Sequence, residues 1–103
     1  MLAELSIFPM DKGSHGLSTY VAESLKIIED SGLDYEIHAM GTLIEGPAEK
    51  VFEVIRRCHD NLAAKCDRVI TSVRIDDRKG VTGAIKRKVK SVEDKAGHEL
   101  RKL

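Results

Sequence analysis

Apolar residues in this 103-residue chain repeat at two different periods, and the order of those periods restricts the fold more than any other feature. Ala3, Leu5 and Ile7 alternate with Glu4, Ser6 and Phe8, a period of two that predicts a strand ended by Pro9. The polar stretch from Asp11 to Gly16 reads as a loop. A helix is predicted from about Ser18 to Ser31, with Leu17, Val21, Leu25 and Ile28 at helical spacing and Gly32 as a left-handed stop. Tyr35, Ile37 and Ala39 then alternate with Glu36, His38 and Met40 as a second strand. After Gly41, Thr42-Leu43-Ile44-Glu45 forms a short third, and the tight connection predicts a hairpin. Gly46-Pro47 opens the next helix, because proline lacks an N–H that the first turn would leave unpaired anyway. Ala48, Val51, Ile55, Cys58 and Leu62 make its apolar stripe. A fourth strand covers Arg68 to Asp76, with Val69, Val73 and Ile75 on one face and Arg68, Ile70, Ser72 and Arg74 on the other. Past Asp77-Arg78-Lys79-Gly80, Ile85, Val89, Val92 and Ala96 mark the apolar side of a last helix. Lys86, Arg87, Lys88 and Lys90 are read as its solvated remainder.

The resulting order is β-α-β-β-α-β plus a helix. Two right-handed crossovers joined by a hairpin give a four-stranded antiparallel sheet with two helices on one face. The expected class is therefore α+β, a ferredoxin-like βαββαβ sheet with an extra C-terminal helix. The length suits a single domain over residues 1–103, and neither a solenoid-spaced repeat nor a linker interrupts it. The opposite sheet face is predicted to carry Glu4, Ser6, Phe8, Glu36, His38, Met40, Ile70, Ser72 and Arg74. That mixture is too apolar for a simply solvated surface, so the third helix, another subunit or a ligand is expected against it.

Composition removes several functions. Lys plus Arg and Asp plus Glu both number 17, so the basic excess of a dedicated polyanion binder is missing. RNA-binding domains of this topology stack bases on aromatics of the open face, where the first strand offers only Phe8 and the fourth offers none. Acylphosphatases share the fold and size but need an Arg in a glycine-rich loop after the first strand. The segment Met10 to Gly16 carries Asp11 and no Arg. With no apolar run near ~20 residues and no basic, apolar N-terminal segment, a cytoplasmic protein without membrane contact is expected. Cys58 and Cys66 do not match a zinc or redox spacing, and Cys58 is expected in the core. His15, His38, His59 and His98 show no metal-binding spacing, so structural or surface roles and no metal are expected.

Several stretches together resemble a known family. They are Glu4-Leu5 and Pro9, Ser18-Thr19-Tyr20-Val21, Tyr35-Glu36-Ile37, Met40-Gly41-Thr42-Leu43-Ile44-Glu45-Gly46, Arg68-Val69-Ile70-Thr71 and Ile75-Asp76-Asp77-Arg78. In order and coverage they resemble the small thiamine-binding proteins related to the YkoF-like domains, with the hairpin and the Ile-Asp-Asp-Arg strand end as the most specific parts. The resemblance implies a ferredoxin-like fold, dimers or tetramers built through the sheets, and binding of thiamine or its hydroxymethylpyrimidine moiety. No catalytic cofactor is implied.

Thiamine presents an amine donor beside ring-nitrogen acceptors, and a cationic thiazolium. A fitting site needs acceptors, a carboxylate or hydroxyl, and flat apolar surface. Glu36 and Glu45 supply carboxylates, Ser18 and Thr42 hydroxyls, and Tyr20, Phe8 or Met40 apolar walls; Gly41 lets the backbone approach. With Arg74 from the open face, these form the candidate ligand set. Each also has a plainer role. Gly41 would permit the turn, Ser18 would cap a helix, and Tyr20 would fill the core. Glu36 and Arg74 would pair across strands, and Asp76-Asp77-Arg78 would end a strand. The expected function is binding by a non-enzyme; the alternative is an oligomeric interaction or scaffold module without a small ligand.

Overall fold

The computed structural model describes residues 1–11, 17–80 and 82–99. Most of the loop expected after the first strand, with His15, and the Leu17 side chain of the first helical stripe lie outside the described residues. The elements run β1 (Leu2–Pro9), α1 (Leu17–Asp30), β2 (Asp34–His38), β3 (Gly41–Glu45), α2 (Ala48–Ala63), β4 (Val69–Asp76) and α3 (Ala84–Ala96). One sheet takes the order β2-β3-β1-β4 with every neighbouring pair antiparallel. This is the ferredoxin-like α+β arrangement with an added C-terminal helix.

Boundaries differ from the expected ones where local patterning is blind to turns. His38 pairs with Gly41, so Ala39 and Met40 form a two-residue hairpin connection rather than the end of β2. Because α1 starts at Leu17, Ser18 sits exposed inside the first turn and is not the N-cap.

Residues directly opposite in an antiparallel pair share a face, so the register sorts the sheet into two sides. Ala3 aligns with Ile44 and Ile75, and Leu5 with Thr42 and Val73, on the side covered by α1 and α2. Ala3, Ile28, Ile44, Val51, Cys58 and Leu62 are almost wholly enclosed there. Each large apolar side chain so buried contributes about 1.5–3 kcal/mol. Cys58 stands in this core as expected. Its Sγ lies 3.7 Å from the Ser24 carbonyl oxygen of α1, and burial pushes its thiol up to about 11. Val54 joins the buried row of α2, whereas Ala48 at its start is exposed.

The other side carries Glu4, Ser6, Phe8, Glu36, His38, Ile70, Ser72 and Arg74, as the alternation predicts, together with Leu2 and Leu43; Met40, expected there, lies in the hairpin connection instead. Strand order corrects one expectation within this set. β2 and β4 are opposite edges of the sheet, so Glu36 faces Leu43 and Arg74 faces Glu4, and the proposed Glu36–Arg74 ion pair does not form. α3 packs across the end of this side where Leu2, Asp34, Glu45 and Asp76 align. Its inner row is Ile85, Val89 and Glu93 at i, i+4, i+8; Val92 and Ala96, expected to be inward, are exposed. At the far end Phe8 stays 41% exposed beside its cross-strand partner Ile70.

Candidate functional site in the cleft beneath the third helix

The position of α3 depends on one carboxylate. Gly83 precedes the helix in a left-handed conformation and offers no side chain to cap it. Glu45, last residue of β3 and only 8% exposed, accepts instead from the Ala84 N–H at 2.6 Å and the Ile85 N–H at 3.4 Å. A negative group there answers the unpaired donors and positive end of the helix dipole. A second tie holds the next turn, where Lys88 donates to Asp76 on β4.

Between α3 and the β2–β3 edge lies a cleft of about 760 Å3. The sheet side of its wall comes from Asp34, Tyr35, Glu36 and Glu45. The helix side comes from Ile85 and Val89 with Lys86, Lys90 and Glu93. Two aliphatic side chains thus stand among four carboxylates and two ammonium groups, and Glu93 is only 6% exposed. Such a wall can hold a flat heterocycle by its faces and take hydrogen bonds from its edge amines, and its acidic balance favours a cation. Tyr35 lies behind it, its OH 3.4 Å from Glu29 Oε1 on α1. Burial first, then the nearby Glu29 charge and hydrogen bond, raises its phenol above the ordinary value.

The candidate residues named from sequence divide into groups. Glu36 and Glu45 both line this cleft. Arg74 lines a separate hollow of about 260 Å3 on the β4 side of α3, with Glu4, Leu43 and Lys88. Thr42 shares the α1–α2 side of the sheet with Leu5 and Ile37, while Ser18 and Tyr20 belong to α1. Met40 is 81% exposed at the hairpin tip. Gly41 is fixed by packing: a Cβ there would stand 2.7 Å from the Leu5 carbonyl oxygen. The same bare position lets His38 pass over it from β2 to β1. His38 Nδ1 accepts the Met40 N–H at 3.2 Å, so its proton sits on Nε2 and is given to Glu4 Oε2 at 3.2 Å. His59, by contrast, lies 2.6 Å from Thr71 Oγ1 on the core side. Among the described residues, no three His, Cys, Asp or Glu side chains gather as a metal site.

A family model described as thiamine-binding protein matches residues 3–93. The chain belongs to the thiamine-binding protein family. A UPF0045 protein of Methanothermobacter thermautotrophicus is 37% identical over 95 residues, which span 90% of this chain and 96% of that one. The crystal structure of the Methanocaldococcus jannaschii UPF0045 protein superposes with a TM-score of 0.82 at 33% identity, covering 90% of this chain and 95% of that one. A candidate thiamine biosynthesis/salvage protein of Thermotoga maritima shares the fold, with a TM-score of 0.73 at 19% identity over 84% of this chain and 94% of that one. As a family member the chain is a small α+β protein matched through nearly all of its core elements, and no described helix is long and apolar enough to cross a membrane.

The lining residues that the sequence did not single out as site groups are Asp34, Tyr35, Gly83, Ile85, Lys86, Val89, Lys90 and Glu93. One signal was available for the last: Glu93 continues the i, i+4 row of Ile85 and Val89, a carboxylate placed where an apolar residue is expected.

Proposed function

We propose that this protein binds thiamine, or its hydroxymethylpyrimidine moiety, without turning it over, in the cleft between α3 and the β2–β3 edge. The observation that carries the reading is the company Glu36 keeps: a carboxylate in the middle of the edge strand β2, lining the same cleft of about 760 Å3 as the aliphatic pair Ile85 and Val89. The family description supports the ligand class. In this pose the aminopyrimidine lies against Ile85 and Val89, its amine donates to Glu36, and the thiazolium cation sits near Asp34 or Glu93. Of the remaining candidates, Gly41 shapes the hairpin, Arg74 belongs to the neighbouring hollow, and Ser18, Tyr20, Met40 and Thr42 act outside the first contacts.

Calorimetric titration with thiamine, hydroxymethylpyrimidine and the thiazole portion tests this directly. Saturating ligand at a hundred times its dissociation constant adds about 2.7 kcal/mol to stability, so a thermal shift accompanies binding. Glu36→Gln keeps the side chain's size and one acceptor but removes its charge, and weakens binding by roughly tenfold with the fold intact. Affinity unchanged by Glu36→Gln, or no response to any of the three compounds, defeats the reading.

A free strand edge favours a second role beside the first. Among the described residues β4 pairs only with β1, and Val73 and Ile75 on one face of this edge, with Phe8 on the other, remain well exposed. Exposed edges and apolar patches of this kind invite pairing with another copy. Self-association into a dimer or tetramer is the expected state, and light scattering that finds only monomer at micromolar concentration removes it. Association without any ligand response would leave the scaffold reading in its place.

A further inference from the structure

Beside the hollow lined by Arg74, a further cavity of about 220 Å3 opens on the β4 side of α3 and differs in charge from the cleft. Arg78, from the segment after β4, and Arg87, from the first turn of α3, both line it. Among the described residues neither guanidinium has a hydrogen bond or an ion pair, whereas the third side-chain cation of the lining, Lys88, is held by Asp76. Both arginines act on that same Asp76 carboxyl: Lys88 chiefly, then Arg78 and Arg87, hold it below the usual carboxylate range. The three cations therefore converge on one acidic group. Set against the two carboxylates of the lining, Asp76 and Glu45, these three cations leave one positive charge in excess, and both guanidiniums remain without a bonded partner among the described residues. Glu45, also in the lining, is already answered by the N-terminal donors of α3, and the Met1 amine lies 3.8 Å from Asp77.

We propose that Arg78, Arg87 and Lys88 form a binding site for a phosphoryl group. A phosphate monoester carries nearly two negative charges at neutral pH. Guanidinium forks match its oxygens in pairs, and the ammonium of Lys88 adds a point charge. The cavity is smaller than the roughly 300–1,000 Å3 of sites that enclose a whole drug-sized molecule, which suits a compact anion better than a heterocycle. Glu45 borders both this cavity and the cleft, so the two spaces adjoin beneath the start of α3. The phosphoryl group has two sources, free phosphate or the ester end of a molecule whose ring occupies the cleft; the second source rests on the proposed function.

Isothermal titration at constant ionic strength distinguishes them, using inorganic phosphate, thiamine and thiamine monophosphate on the wild-type chain, on Arg78→Ala/Arg87→Ala and on Glu36→Gln. Both arginines are exposed, so circular dichroism is expected to show the double variant folded. Inorganic phosphate binds the wild type and weakens at least about tenfold in the double variant, since each lost charged hydrogen bond accounts for a factor of that order. Glu36→Gln leaves phosphate binding intact. If the ester is the source, thiamine monophosphate exceeds thiamine in the wild type and loses that advantage in the double variant. Phosphate binding with no response to thiamine supports the anion site while defeating the cleft reading. A double variant that binds phosphate as well as the wild type, or a wild type that binds neither phosphate nor the ester in preference to thiamine, overturns the proposal.

Discussion

The two sides of the sheet are held by different physics. On one side α1 and α2 enclose Ala3, Ile44, Val51 and Cys58 in a continuous apolar layer. On the other, α3 is fastened mainly by polar ties at its first turns, Glu45 to the Ala84 and Ile85 amides and Asp76 to Lys88. Apolar burial is non-directional and leaves no room for a ligand; a helix held by charged pins over a polar strand end leaves hollows on both flanks. The side that stabilises the chain and the side that offers sites are therefore separate. Stability of α3 is expected to lie below that of the sheet, in the sense that segments with few buried apolar contacts open before the whole molecule does.

The largest test of that separation is Ile44→Ala. Ile44 is fully buried at the centre of the sheet, aligned with Ala3 and Tyr35. Its truncation leaves a cavity under both helices and costs about 2–5 kcal/mol. Amide exchange should then quicken by a common factor in β1, α1 and α2. Loss of protection confined to β3 would mean that the layer is not one cooperative unit.

Glu45→Ala probes the opposite side with a smaller effect. It removes the acceptor for two amides at a helix start whose own cap residue is glycine. Losing a cap is worth about 0.5–2 kcal/mol, here concentrated in α3. Faster exchange along α3 with β1 unchanged sharpens the comparison between the two sides. Equal loss in both would show that α3 and the core open together.

How far the sequence reveals these two sides follows from the range of the forces involved. Alternation in β1 and β4 reports the face each residue takes, so both faces of the sheet are legible in the sequence; burial follows it in β1 but not in β4, where Val73 and Ile75 lie on the helix-covered side and are still exposed. Glu36 was legible for the same reason, as an outward residue of an edge strand. The role of Glu45 as a cap was not, because its partners lie 39 and 40 residues away and Gly83 carries no capping side chain to signal the helix start. A period of two continues through Ala39 and Met40, which hides a two-residue turn from any reading of alternation alone. Glu36 and Arg74 share a face but not a neighbourhood, since a face follows from local periodicity while adjacency depends on strand order.

The smallest effect, and the one that isolates the polar fastening, is the pH response of the Asp76–Lys88 tie. The hydrogen bond from Lys88 is the main cause holding the Asp76 carboxyl low, the Lys88 charge is next, and Arg78 and Arg87 add to it. A carboxyl whose value is lower in the folded chain than in the unfolded one stabilises the fold above its unfolded value of 3.8. That contribution is complete at neutral pH and disappears as pH falls from the ordinary carboxylate range through the lowered folded value. Both side chains are about half exposed, so solvent and salt screen the pair and only α3 should register its loss. Comparing Asp76→Asn with the wild type at each pH cancels the intrinsic exchange chemistry and every carboxyl the two share. The wild-type α3 amides should exchange more slowly than those of the variant at pH 7, and the difference should close in acid and at high salt. If the two profiles coincide at pH 7 in low salt, Lys88 does not fasten the helix, and Glu45 alone sets where α3 sits.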